Sequence, residues 1–133
     1  TTHPCNVDGY YPCEGTDCGD NGDDRYNGVC DKDGCDYAIY RNGVQDFYGP
    51  GMTVNSNSVI TIITQFITSD GSDSGSLSEV RRIYVQGGQT IQNAAVNFAG
   101  VTAHDSITSA YCSEIKTFFG DYDGHAAKGG LSS

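Results

Sequence analysis

The sequence contains few basic residues, and this limits the partners it can have. Its 133 residues include 7 Lys and Arg against 17 Asp and Glu, which gives a formal net charge of −10. Nucleic acid is therefore not expected as a partner, because phosphate contacts require a basic face. No run of about 18 apolar residues occurs, so no segment is predicted to span a membrane.

Several catalytic and metal-binding patterns are also missing. The sequence has no GxSxG motif and only three glutamates, none with a partner acid at a spacing that would place both on one strand face. The acidic loop that begins at Asp20 has Arg25 where a calcium-binding EF-hand needs glycine, and the one that begins at Asp31 has Asn42 where it needs a carboxylate. We therefore predict no catalytic residue, metal ligand or cofactor site in this chain.

The cysteines are an exception to this scarcity. Six cysteines accompany nine tyrosines and eighteen glycines, a composition typical of proteins from an oxidising, extracellular compartment. A metal site is the alternative, but CxxC is absent and the histidines do not cluster with the thiols. We predict disulfides, whose pairing the residue pattern alone leaves open.

Three segments have the composition of strands. Residues 58–68 are β-branched and aromatic almost throughout, and residues 80–86 and 89–92 predict two further strands joined by a hairpin turn at Gly87-Gly88. Residues 69–78 read as a polar connection, and residues 93–105 as irregular structure.

One short helix is predicted over residues 109–119. Tyr111, Ile115, Phe118 and Phe119 share one face of that helix, and Gly120 is a plausible stop. The glycine-rich tail, 120–133, is expected to be mobile. Three strands and one helix leave apolar faces and sheet edges uncovered, so we expect the chain to be part of a larger fold. The start at Thr1, without an initiator methionine, also suggests a processed product or a piece of a longer chain.

The segment from Asp24 to Gly51 suggests a sugar-binding surface. It combines aromatic rings, carboxylates and guanidinium groups with little aliphatic content, so it cannot form a core. Rings cover the C–H face of a pyranose, while Asp and Arg side chains bind its hydroxyls, and a neutral polysaccharide meets no electrostatic objection. The candidate residues are Arg25, Tyr26, Asp33, Asp36, Tyr40 and Arg41. The alternative is a structural ion-pair network that orders the loops.

A series of motifs in this chain resembles a known family. THPC, CEGTDCG, RYNGVCDKDGCDYAIYR, FYGPG, TIITQFITSDG, RRIYVQGG, AYC and KGGL occur in that order. This order is similar to family 7 of the glycoside hydrolases, the fungal cellulases, and more closely to its cellobiohydrolase branch. The resemblance extends from His3 to Leu131.

The resemblance implies a fold and an activity. The expected fold is mainly β: part of a concanavalin-like jelly-roll β-sandwich with long disulfide-stapled loops and one short helix. The family hydrolyses β-1,4-glucan with retention, using an E-x-D-x-x-E motif that lies upstream of the HPC block and is not among these residues. We therefore expect a partial catalytic domain over residues 1–133, with a product-side loop region over 1–51 and strands, helix and tail over 52–133. The isolated chain is predicted to be inactive.

The resemblance also implies roles for individual residues. His3 matches a histidine beside the catalytic centre, and Tyr26 matches an aromatic residue of the tunnel wall. The residues that match the product side of the cleft, where cellobiose leaves, are Arg25, Asp33, Asp36 and Arg41. The implied disulfides are Cys5–Cys30, Cys13–Cys18 and Cys35–Cys112.

The implied partners are cellulose or cello-oligosaccharides, bound by a secreted enzyme that acts as a monomer. The long 69–79 connection favours a cellobiohydrolase over an endo-acting glucanase of the same family. A non-catalytic β-glucan-binding module and a disulfide-stapled structural protein remain as alternatives from other classes.

Overall fold

Long loops surround a small antiparallel sheet in the computed structural model, which describes residues 1–20 and 26–133. The strands are β1 (Tyr48–Gly49), β2 (Val54–Asn55), β3 (Thr61–Thr68), β4 (Leu77–Gln86) and β5 (Gln89–Gln92), and the helices are α1 (Ser109–Phe119) and α2 (Gly124–Ala127). Short 3₁₀ turns lie at Gly15–Asp17 and Gly130–Ser132. β1 and β2 form a short parallel pair, and the main sheet has the order β3-β4-β5.

The main sheet confirms the predicted strands, with shifted boundaries. β4 and β5 form the expected hairpin, in which Gly87 and Gly88 both have positive φ, as a two-residue turn requires. β3 begins at Thr61, later than predicted, and β4 begins at Leu77, earlier than predicted. The earlier start of β4 follows from a backbone hydrogen bond of 2.8 Å between Ser69 N and Ser76 O, which shortens the connecting loop.

Helix α1 spans the predicted residues and has a cap at each end. The Thr108 side chain accepts a hydrogen bond from Tyr111 N, and Gly120 ends the helix in the left-handed conformation. The face of α1 that packs into the core contains Tyr111, Cys112 and Ile115. Phe118 and Phe119, which the pattern also placed on the apolar face, are 45% and 42% exposed.

The tail differs from the expectation of a mobile segment, and the expectation of one helix is wrong. Asp123 caps α2 by accepting a hydrogen bond from Ala126 N, and His125 and Leu131 are buried. The glycines suggested mobility, but the chain returns to the core through these two side chains. Residues 1–20 and 26–133 therefore contain two short α-helices.

Two core clusters hold these elements together. The larger one lies under α1 and includes Val96, Ile107, Tyr111, Ile115 and Leu131. The smaller one consists of Phe47, Val54 and Tyr84. The three disulfides are Cys5–Cys30, Cys13–Cys18 and Cys35–Cys112, the pairs implied by the resemblance. Cys35–Cys112 ties the loop region to α1 across 77 residues of sequence.

Strand β3 is uncovered on both faces. Ile62, Ile63 and Phe66 are 55%, 41% and 71% exposed, and within the part of the chain that the structure describes β3 pairs along one edge, with β4. In the described parts of the chain, no helix has the length and apolar character needed to cross a membrane.

Candidate functional site

Three of the sequence-predicted site residues line one cleft. Asp33, Asp36 and Arg41 lie on the loop that follows Cys30, and the opposite wall is the C-terminal half of α1. The cleft has a volume of about 280 Å³. The side chains that α1 and the residues after it contribute are Ile115, Lys116, Phe119 and Asp121.

Asp36 and Arg41 form an ion pair at the mouth of this cleft. Arg41 Nη2 lies 2.5 Å from Asp36 Oδ1, and the two side chains are 51% and 40% exposed. The Arg41 guanidinium also lies 5.8 Å from the centre of the Phe119 ring. The pair therefore presents a donor and an acceptor side by side, next to an aromatic ring, where a polar ligand can reach them.

Asp33, another acid of the cleft, is held by its neighbours in sequence. Asp33 Oδ1 lies 3.3 Å from Lys32 Nζ. The Asp33 backbone amide donates to Asp31 Oδ1 over 3.3 Å, while Asp31 Oδ2 is buried and has no hydrogen-bond partner among the described residues.

Of the other predicted site residues, His3 and Tyr26 lie outside this cleft. His3 lines a second cleft of about 380 Å³, where its Nδ1 lies 2.8 Å from the Asp31 carbonyl oxygen. Tyr26 packs against Tyr122, with ring centres 4.4 Å apart. Arg25 lies outside the described residues. The structure thus brings together Asp33, Asp36 and Arg41, and places His3 in a different cleft.

Sequence reasoning missed the wall that α1 contributes. Phe119 was assigned to the core by its helical spacing, and Lys116, Asp121 and Tyr122 were not considered. The helical spacing contains no signal that separates Phe119 from the residues that face the core. Phe119 instead lies beside Arg41.

A buried tyrosine of α1 lies behind the cleft. Tyr111 has no exposed surface, and its hydroxyl donates to the Asp36 carbonyl oxygen over 2.8 Å. Burial raises the pKa of the Tyr111 hydroxyl. The hydroxyl therefore keeps its proton, and with it the hydrogen bond to the loop, at neutral pH.

Metal chemistry has no candidate in the described residues. All six cysteines are in disulfides, and within residues 1–20 and 26–133 no three His, Cys, Asp or Glu side chains are grouped as metal ligands. What the cleft offers is hydrogen bonding to a polar ligand.

Comparison with known proteins gives a consistent result. The pattern of Glycosyl hydrolase family 7 matches residues 1–133. An exoglucanase, GH7B, from Limnoria quadripunctata is 66% identical over 133 residues, which is 99% of this chain and 29% of that protein.

Solved structures of family 7 enzymes are also similar to this chain. A crystal structure of a family 7 cellobiohydrolase from Daphnia pulex has a TM-score of 0.89 and 52% identity, and covers 99% of this chain and 30% of its own. A cellobiohydrolase from Melanocarpus albomyces, crystallised with cellotetraose, has a TM-score of 0.78 and 30% identity, over 98% of this chain and 29% of its own. The chain thus spans less than a third of the length of these relatives.

Proposed function

Because the chain belongs to glycosyl hydrolase family 7, we propose that it acts as part of a longer cellobiohydrolase and supplies the product-side sugar-binding surface. The full enzyme hydrolyses β-1,4 bonds of cellulose with retention and releases cellobiose. The catalytic carboxylates belong to a part of the domain that the 133 residues do not include, and the isolated chain is inactive.

The observation that carries this proposal is the pairing of Asp36 with Arg41 in an open cleft. A guanidinium donates hydrogen bonds to sugar hydroxyls, and a carboxylate accepts them. Asp33 adds a second acceptor at the same cleft. Such a set binds the edge of a pyranose, as the leaving cellobiosyl unit requires.

The alternative of a purely structural ion pair has less support. Both side chains are about half exposed, and exposed pairs contribute only about 0–1 kcal/mol to stability. A pair of this kind adds little to the fold, whereas its exposure is what ligand binding needs.

The proposed architecture is the family's jelly-roll β-sandwich. The uncovered faces of β3 support it, because Ile62, Ile63 and Phe66 need a packing partner that the described residues do not supply. Exo action is favoured by the long connection between β3 and β4 and by the relatives named as an exoglucanase and a cellobiohydrolase.

The proposed ligand is cellulose or a cello-oligosaccharide, and the proposed enzyme is a secreted monomer. The disulfides support an oxidising compartment. The Melanocarpus relative was crystallised with cellotetraose, which is a ligand of the proposed class.

Inhibition by cellobiose tests the proposal. We expect Arg41→Ala to raise the inhibition constant for cellobiose about tenfold, which corresponds to about 1.4 kcal/mol, because a charged donor to the sugar is lost. Arg25→Ala should act in the same direction. The measurement uses the full-length enzyme, or a chimera in which these residues replace the aligned segment of the Limnoria exoglucanase.

Asp46→Ala is the control for the loss of an exposed charge, because Asp46 is exposed and lines neither of the two clefts that contain Asp36. Its inhibition constant should equal that of the unmodified enzyme. Unchanged cellobiose inhibition in Arg41→Ala would sink the product-side assignment.

A further inference from the structure

One side chain contacts both ends of the segment that bears the Asp36–Arg41 pair. The Tyr111 hydroxyl donates to the Asp36 carbonyl oxygen over 2.8 Å and accepts from Asn42 Nδ2 over 3.0 Å. Tyr111 and Asn42 are both completely buried. The Tyr111 hydroxyl therefore fixes Asp36, which bears the acceptor carboxylate, and Asn42, which follows the donor Arg41.

The ion pair cannot fix this geometry by itself. Its two side chains are about half exposed, so water screens their attraction and both retain rotational freedom. The buried contacts of Tyr111 are different, because a buried donor or acceptor that loses its partner is not rescued by water. The buried hydrogen bonds of Tyr111 behind the cleft thus set the position of the Asp36–Arg41 pair.

A second anchor joins the same two segments. Cys35 precedes Asp36, Cys112 follows Tyr111, and the two cysteines form a disulfide. The disulfide limits the distance between the loop and α1. It does not set the direction of the Asp36 peptide or the position of Asn42, which lies seven residues beyond Cys35.

The surroundings of Tyr111 leave its ring little freedom. The Tyr37 ring lies 4.9 Å from it, and the His104 ring meets it edge-on at 5.8 Å. The Tyr111 backbone amide is held by the Thr108 side chain. Asn42 is also tied on its far side, since its carbonyl oxygen accepts from Asn97 N over 2.8 Å.

We propose that Tyr111 is a positioning residue for sugar binding, whose hydroxyl holds Asp36 and Arg41 at the spacing that a cello-oligosaccharide recognises. This inference rests on the proposed function of the cleft. Tyr111 does not touch the sugar. It acts through the backbone of Asp36 and the side chain of Asn42.

The test is Tyr111→Phe in the full-length enzyme or the chimera, with the cellobiose inhibition constant as readout. We expect this constant to rise about three- to tenfold, the equivalent of one lost hydrogen bond. Turnover of a soluble cello-oligosaccharide without added cellobiose should change much less. The triple variant Tyr111→Phe/Asp36→Ala/Arg41→Ala should bind cellobiose no more weakly than Asp36→Ala/Arg41→Ala, because the Tyr111 hydroxyl acts only through these two residues.

Val54→Ala is the control for a general loss of stability, because Val54 is fully buried in the other core cluster. It should lower the melting temperature and leave cellobiose inhibition unchanged. If Tyr111→Phe does not accumulate as folded protein, Asn42→Ala replaces it, with the same expected rise.

The outcomes separate the two proposals. An inhibition constant that rises in Arg41→Ala but stays unchanged in Tyr111→Phe overturns the positioning role alone. A further loss of cellobiose binding in the triple variant, beyond that of Asp36→Ala/Arg41→Ala, overturns it as well. An unchanged constant in Arg41→Ala overturns the proposed function, and the role of Tyr111 with it.

Discussion

At the scale of single residues, the buried polar side chains determine how the loops are held. His125 is 1% exposed, and its Nε2 lies 3.0 Å from Thr2 Oγ1, so it joins the tail to the start of the chain. Burial lowers the pKa of His125 and is the largest effect on it. The charged groups that also act on it are Asp31 and Asp123, which raise the pKa, and Lys116 and His3, which lower it.

The lowered pKa of His125 predicts acid sensitivity. The unfolded chain takes up a proton that the folded chain resists, so the stability is fully present above the ordinary histidine pKa of about 6.5 and is lost as pH falls below it. We expect the melting temperature of the full-length enzyme or the chimera to fall between pH 7.5 and 5, and to fall less in His125→Gln.

His104→Gln is the control for that experiment, because His104 contacts the Glu114 carboxylate and not the tail. The melting temperature of His104→Gln should fall between pH 7.5 and 5 by as much as that of the unmodified protein. Equal pH dependence in His125→Gln and the unmodified protein would refute the role of His125.

Individual residues also show how far sequence reasoning reached into the site. Asp36 and Arg41 were identified as candidate surface residues, because a segment of charged and aromatic residues with little aliphatic content cannot form a core. Tyr111 was placed on the apolar face of the predicted helix, but the hydrogen bonds of its hydroxyl to Asp36 and Asn42 join residues 69 or more positions apart in sequence. No local pattern encodes such a contact.

At the scale of elements, local signals predicted what depends on local structure. The Gly87-Gly88 turn and the helix from Ser109 to Phe119 were found because turn chemistry and helical spacing are local properties. The order of the tail was missed because it depends on burial of His125 and Leu131 by distant residues. The same reasoning failed for Phe119, whose environment depends on the position of Arg41.

Strand β3 is the element most in need of a partner. Its TIITQFIT sequence has no charge and no proline, and its exposed edge and faces are typical of segments that associate. We expect the 133-residue chain, expressed alone, to aggregate or fold poorly. Phe66→Lys should increase its soluble fraction in sedimentation measurements, because a charge on this strand opposes pairing.

Ser58→Lys adds the same charge just outside β3 and is the matched control, with no expected gain in solubility. A soluble monomer of the unmodified chain with a sharp, cooperative melting transition would show that β3 needs no partner.

At the scale of the whole molecule, the chain corresponds to less than a third of the length of its relatives. The family match covers residues 1–133, while the relatives are more than three times as long. Two core clusters and three disulfides hold the loops around the cleft, and β3 offers a surface to the rest of the proposed sandwich. The central claim is that the cleft beside α1 binds the departing cellobiose.

The most direct measurement is a crystal structure of the full-length enzyme or the chimera with cellobiose, soaked near its inhibition constant. We predict a sugar whose hydroxyls lie within hydrogen-bonding distance, about 2.7–3.2 Å, of the Arg41 guanidinium and the Asp36 carboxylate. Cellobiose bound elsewhere, with the Asp33–Arg41 cleft empty, would contradict the account.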